Sequence, residues 1–458
     1  MMNQSNQSGS SRREFLKTTA VAAASGALTA GLGFADGQRE SRTSAVHAGG
    51  SDTIKVGVIG CGGRGSGAAD NVLHSARNVK IVALADVFKF RLDGLRQRLN
   101  ELAQSEEIRK LGNGVDLPDS RCHHGDLEGF KKVINDPEVN YVILATPPGF
   151  RPMMLEEAVK AGKNIFTEKP VGVDGPGIRK VLQAYEDAKK KGLAIGAGTQ
   201  RRHQLGYVET MKRIHDGAIG KITAAQVYWN QGNIWFRHDQ DLIDNGIKVT
   251  PLASQLWNWY HFVWLCGDHI CEQHVHNLDV ANWAIGHHPL HAVGMGARVE
   301  RPHGDPNKVG HIYDFFAIDY EYPDGVHVLS QCRQIEHCAD SVSEHLNGTK
   351  GTCQADRYEI NGKRIITRAQ DKASTDPYVQ EHTDLIASIR AGKPENELKN
   401  VAYSTLTAIL GRLSAYTGKK VTWEQALNSQ YNTMPESLAW DMVLQTPPVA
   451  LPGKTRLF

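Results

Sequence analysis

Beyond its first few dozen residues this chain has no apolar run long enough to cross a bilayer, so no transmembrane span is expected in the mature part. Cysteine is scarce and unpatterned. Seven residues stand at Cys61, Cys122, Cys266, Cys271, Cys332, Cys338 and Cys353, with no CxxC pair. An odd, scattered set argues against a disulfide framework, although one or two bridges remain open in an oxidising compartment. Charge of one sign is missing too: 52 Lys and Arg stand against 50 Asp and Glu, for a net charge of +2. No long basic run follows the N-terminus, which excludes the strong field a nucleic-acid partner needs. Internal repeats are absent, so a solenoid is not expected. What remains is ordinary for a soluble globular protein, with 40% hydrophobic and 22% charged residues. A length of 458 residues predicts two folded units with appendages.

The N-terminus reads as an address. Ser11-Arg12-Arg13-Glu14-Phe15-Leu16-Lys17 precedes a weakly apolar stretch from Thr18 to Ala35 rich in Ala, Gly and Thr. The order resembles a twin-arginine export signal, and the stretch is too weakly hydrophobic for an anchor. Residues 1–35 are assigned to the signal, with cleavage after Ala35 or Ala48, and 36–52 to a polar, disordered linker. The twin-arginine route carries folded proteins and would place the mature chain in the periplasm or otherwise outside the cytoplasm. It suits a protein that must capture a cytoplasmic cofactor before leaving.

Ile54 to Ile59 is β-branched, apolar and followed by glycines, as in a buried parallel strand. Strands are expected at Val79–Ala85, Tyr141–Ala145, Asn164–Phe166 and Ala194–Ala197. Helices are expected at Gly65–His74, Phe90–Leu111, Met153–Ala161 and Pro176–Lys191. This alternation predicts an α/β fold, a Rossmann-type doubly wound parallel sheet over residues 53–199. Longer alternating segments follow at Ala224–Asn230, Ala292–Val299, Tyr313–Tyr322 and Val326–Gln334, among helices at Gln204–Asp216, Asp376–Ala391 and Asn400–Thr417. They predict a second α/β domain, residues 200–458, with a large, mostly antiparallel sheet for substrate binding and self-association.

The turn Gly60-Cys61-Gly62-Gly63-Arg64-Gly65 joins the first strand to its helix. Its glycines allow a tight turn, close approach of a pyrophosphate and close helix–strand packing, while the helix N-terminus supplies free N–H groups. Asp86, 21 residues after Gly65, ends the next strand where a carboxylate would bind the adenosine ribose. That favours NAD, but Lys89 and Arg91 nearby leave NADP open. The cofactor set is therefore Gly60, Gly62, Gly63, Arg64, Gly65 and Asp86, with Thr146, Pro147, Glu168 and Lys169 at the ends of later strands.

Ala145-Thr146-Pro147-Pro148, then Ala161-Gly162-Lys163-Asn164-Ile165-Phe166-Thr167-Glu168-Lys169-Pro170, resemble the Gfo/Idh/MocA oxidoreductases. So do Gly198-Thr199-Gln200-Arg201-Arg202-His203, Gly217-Ala218-Ile219-Gly220 and Leu346-Asn347-Gly348-Thr349-Lys350-Gly351, and the resemblance spans residues 54 to 430. It implies that Lys169 hydrogen-bonds the reacting hydroxyl and supports proton transfer. Within Gly267–Trp283, a continuous helix would put Glu272, His276, Asp279 and Trp283 on one face. A carboxylate four residues before His276 could then orient the imidazole. The family pattern there is Asp-x-x-x-His-x-x-Asp, so His276 matches the catalytic histidine and Asp279 the acid after it. Glu272 replaces the usual aspartate. Lys169, His276 and Glu272 are the expected catalytic set; Arg202, His203 and Asp279 are expected at the substrate.

The implied activity is hydride transfer from a sugar, glycoside or polyol hydroxyl to NAD, or NADP, in a homo-oligomer. An exported enzyme would keep its cofactor bound. Three alternatives stay open: glycosidic cleavage through transient oxidation, a non-catalytic sugar-binding protein, and a metal-dependent hydrolase. The last would use His269, Glu272, His274 and His276, although no metal site is assigned. Trp229, Trp235, Arg237 and His238 are further residues that could line a sugar site.

Overall fold

A computed structural model describes residues 53–456. The signal and linker assigned to residues 1–52 lie outside the described residues. β1 (Ile54–Ile59) pairs in parallel with β2 (Val79–Asp86) on one side and β5 (Tyr141–Leu144) on the other. β2 is flanked by the short β3 (Gly114–Val115) and β4 (Cys122–His124). β5 continues to β6 (Asn164–Thr167) and β7 (Ile195–Ala197). The sheet order is β3-β2-β1-β5-β6-β7, all parallel. This is the expected doubly wound sheet, buried on both faces, hence its unbroken Val, Ile and Leu runs.

The crossover helices carry legible boundaries. Gly175–Lys191 starts at Asp174, whose carboxylate accepts from the Gly177 N–H, has Pro176 in its first turn, and stops at Gly192 in the left-handed region. Ile178, Val181, Ala184 and Ala188 form its buried stripe. The helix expected from Phe90 to Leu111 is instead two, Lys89–Leu102 and Glu106–Lys110. Ser105 causes the restart, its side chain capping the second piece by accepting from Ile108 N–H.

The second sheet has nine strands. Its centre is β8 (Ile222–Gln231), β9 (His291–Ala297), β10 (Phe315–Tyr322), β11 (Val326–Gln334) and β12 (Ser341–Gly348). The edges are β13 (Gly351–Gln354), β14 (Glu359–Ile360), β15 (Lys363–Arg364) and β16 (Val421–Thr422). The order is β15-β14-β13-β12-β8-β11-β10-β9-β16, antiparallel except for the β8–β11 pair. β10 and β11 alternate as a half-covered sheet requires: Phe316, Ile318, Tyr320, Val328 and Cys332 are buried. The covering layer is the helices Val275–Ile285 and Leu398–Thr417. The second is buried almost all round, because it also packs on Gly175–Lys191 of the first domain. On the other face Val293, Met295 and Leu329 are exposed. Among the described residues no helix is long and apolar enough to cross a membrane.

Candidate active site

The C-terminal ends of the parallel strands open into a cavity of about 550 Å³. At the end of β1, Gly60 has φ +92°, and a Cβ there would lie 2.7 Å from the Ala145 carbonyl carbon. At Gly65 a Cβ would fall 1.8 Å from the Gly60 carbonyl oxygen. These two glycines are forced by geometry. At Gly62 a Cβ would meet the Arg91 guanidinium at 2.9 Å, whereas at Gly63 nothing stands within 4 Å. The following helix, Gly63–Ser75, has no side-chain cap and no acidic residue in its first turn. Its free N–H groups therefore face the cavity as an anion cradle. Asp86 ends β2 beside this cradle and accepts from Cys61 N–H at 2.7 Å and Phe88 N–H at 2.8 Å. Burial raises its pKa, against the pull of those N–H groups and Arg91.

Thr146 and Pro147, after β5, line the same cavity, and the Thr146 carbonyl is held by Arg151 at 2.7 Å. Arg64 lines the same cavity: its Nε pairs with Glu168 Oε1 at 2.7 Å, and its guanidinium lies 4.7 Å from the Tyr378 ring centre. Lys169 follows β6. Its ammonium donates to the Glu272 carbonyl oxygen and lies 3.2 Å from Glu272 Oε1, with both side chains 13% exposed. Burial pushes the Glu272 carboxyl up, opposed by Lys169 and Arg151.

The expected continuous helix is broken. His269–Glu272 and Val275–Ile285 are separate, joined through Gln273 and His274. In an unbroken helix the Glu272 carbonyl would accept from His276 N–H; here Lys169 takes that carbonyl and His276 N–H turns to Gln273. Glu272 therefore faces Lys169 rather than orienting His276 as expected, though both still line the cavity. The His276 ring stacks on Trp229 at 5.8 Å and 27°. Its pKa is pushed well below the usual range, by burial first and then by the charges of Lys169, Arg201 and Arg64, so the imidazole is neutral at neutral pH.

Three expected substrate residues are placed elsewhere. Arg202 makes a two-point ion pair with Asp279, at 2.8 and 2.9 Å, and Asp279 also accepts from Ser404. His203 pairs with Asp384 at 2.7 Å and Glu397 at 3.2 Å. None of Arg202, His203 and Asp279 lines the cavity; the turn Gln200–Arg202 points Gln200 into it instead. Residues that sequence reasoning missed are Gln200 and Gln273, whose buried side-chain oxygens lack a hydrogen-bond partner, as does Glu272 Oε2. Trp259 and Tyr378 also line the wall without having been singled out. The four candidate metal ligands diverge: His274 bonds Ser330 Oγ at 2.7 Å, His269 packs on Phe316, and Glu272 meets Lys169. Among the described residues no three His, Cys, Asp or Glu side chains are placed to hold a metal.

A glycine cradle at a helix start, an acid on the next strand and an ammonium at a later strand end define a dinucleotide-binding protein. The forced glycines, the uncapped helix and Asp86 fit NAD. Residues 54–198 match the family model of the Gfo/Idh/MocA proteins, described as an oxidoreductase family with an NAD-binding Rossmann fold. The chain is 24% identical over 249 residues to scyllo-inositol 2-dehydrogenase (NAD(+)) of Bacillus subtilis, covering 54% of this chain and 59% of that one. It is 29% identical over 229 residues to a glycosyl hydrolase family 109 protein of Solibacter usitatus, covering 48% and 46%. The fold is similar to scyllo-inositol dehydrogenase of Lactobacillus casei, solved with NAD(H) and scyllo-inositol. That match has a TM-score of 0.58, at 18% identity over 81% of this chain and 99% of that one.

Proposed function

We propose that the chain is an exported NAD(P)-dependent oxidoreductase that oxidises a hydroxyl of a sugar, glycoside or polyol, retains its cofactor through the cycle and passes the hydride on to a second, carbonyl-bearing acceptor. One observation carries the reading. The Lys169 ammonium, the neutral His276 ring and the unpaired oxygens of Gln200, Gln273 and Glu272 line the cavity into which the glycine cradle opens. Unpaired acceptors in a mostly apolar cavity suit a ligand rich in hydroxyl donors. Trp229 and Trp259 add faces for its C–H surfaces.

Bound nicotinamide supplies the hydride acceptor. Lys169 donates to the reacting oxygen and stabilises its alkoxide character, while Glu272 holds the ammonium in place. His276 takes the hydroxyl proton on a ring nitrogen, its plane fixed by Trp229. Export rests on Arg12-Arg13 and the stretch after it. Outside the cytoplasm little free NAD is at hand, which favours a resident cofactor. Self-association is proposed through the sheet face that carries Met295.

Lys169→Ala should lower turnover by about a hundred- to ten-thousand-fold while nucleotide binding persists. Undiminished turnover would remove Lys169 from the chemistry. The similarity to the glycosyl hydrolase relative favours a second reading. A transient ketone would acidify the neighbouring C–H, the aglycone would leave, water would add, and re-reduction would give net hydrolysis. Mass spectrometry of the products separates the two, since net oxidation leaves an intact product two hydrogens lighter, whereas net hydrolysis releases the aglycone and adds one water.

A further inference from the structure

The cavity continues past Asp86 to a cluster that the proposed chemistry leaves unused. Arg91, in the first turn of helix Lys89–Leu102, lies with its guanidinium 4.7 Å from the Trp257 ring centre. Arg237, from the segment between β8 and the histidine region, lies 4.6 Å from the same ring and 3.4 Å from that of Trp235. Phe88 and Phe90 meet Trp257 edge-on at 5.8 and 5.5 Å, so the stack bridges the two domains. Arg237 is fixed by donating to the Trp257 carbonyl at 2.6 Å. Among the described residues neither guanidinium is in an ion pair.

Two neighbouring, partly desolvated cations in one wall repel each other. Burial, and then the charge of Arg91, lower the Arg237 pKa to about 10. The position of Arg91 is informative, since its Nη1 is 2.9 Å from where a Cβ on Gly62 would stand, beside the uncapped helix. An anion there would relieve the repulsion and complete the hydrogen bonding of both forks. The C-terminal tail closes the same end, with Leu438 in the cavity wall and Trp440 donating to the Gly125 carbonyl at 3.0 Å.

We propose that Arg91 and Arg237, held against Trp257, form a phosphate clamp on the adenosine half of the dinucleotide, reaching it from both domains and slowing its release. The proposal rests on the dinucleotide reading above. The phosphate is either the pyrophosphate or a 2′-phosphate.

The test is calorimetric titration of the nucleotide-stripped full chain with NADH, NADPH and ADP-ribose, for the unaltered protein and for Arg237→Gln, Arg237→Lys and Arg91→Gln. Thermal melts report folding. Arg237→Gln should weaken binding about tenfold or more, and Arg237→Lys should recover part of it. An equal loss for all three ligands puts the clamp on the pyrophosphate; a loss concentrated in NADPH puts it on the 2′-phosphate. Affinities within twofold of the unaltered chain for both glutamine variants would overturn the clamp. Failure of the unaltered chain to bind any dinucleotide would instead overturn the oxidoreductase reading, and the clamp with it.

Discussion

At Gly65 a single methyl group decides whether a helix can approach a strand. A Cβ there would lie 1.8 Å from the Gly60 carbonyl oxygen, so Gly65→Ala must push helix Gly63–Ser75 off β1. Overpacking of this kind costs about 1–3 kcal/mol. The variant should melt earlier and bind NADH more weakly in a fluorescence titration. Gly63→Ala, with nothing within 4 Å of its Cβ, should melt with the parent. Equal melting of both variants would refute the packing argument. His203 gives the second prediction at this scale. Burial alone would lower its pKa from 6.5, but Asp384 and Glu397 outweigh burial and raise it to about 10. The stability from protonated His203 is thus complete below about pH 6.5 and is lost as pH rises toward 10. The melting-temperature gap between the parent and His203→Gln should be widest near pH 6 and shrink toward pH 10.

Among elements, the helix Leu398–Thr417 joins the two halves, and Arg412 is its fastening. This fully buried guanidinium donates to the Gly267 carbonyl at 2.8 Å and the Val173 carbonyl at 2.7 Å, one in each domain. Arg412→Met keeps the bulk but leaves two buried acceptors unmet, at about 1–3 kcal/mol each. Urea unfolding should show a lower midpoint with an unchanged slope; an unchanged midpoint would mean water replaces the guanidinium without cost. The interrupted histidine segment works by the same accounting. The helical hydrogen bond from His276 to Glu272 is among those given up, Lys169 holds the Glu272 carbonyl instead, and the ammonium is thereby anchored from the other domain.

For the whole molecule, the nine-stranded sheet buries one face under helices and leaves the other to solvent, with Val293 at 52% and Met295 at 68% exposure. The proposed self-association would cover this apolar patch with a second copy related by two-fold symmetry. Sedimentation should give a multiple of the chain mass for the parent and a smaller assembly for Met295→Glu. A monomeric parent would contradict this.

Much of this was written locally. Gly60, Asp86 and Lys169 each stand at or just past a strand end, where a continuous apolar run meets a turn, so order and spacing alone placed them in one pocket. The parallel sheet and the alternating strands of the second domain were legible for the same reason. The pairing of side chains across long separations was not. Lys169 meets Glu272 over 103 positions, which breaks a helix that its own periodicity predicts to be continuous. Arg202 and Asp279, 77 positions apart, satisfy each other rather than a ligand. Gln200 and Gln273 matter only because folding buries their oxygens without partners. Local order and spacing determined the folds and the cofactor cradle, because backbone sterics and apolar periodicity act between near neighbours. Tertiary structure alone decided which polar groups face the cavity, because that depends on which charges folding has already paired.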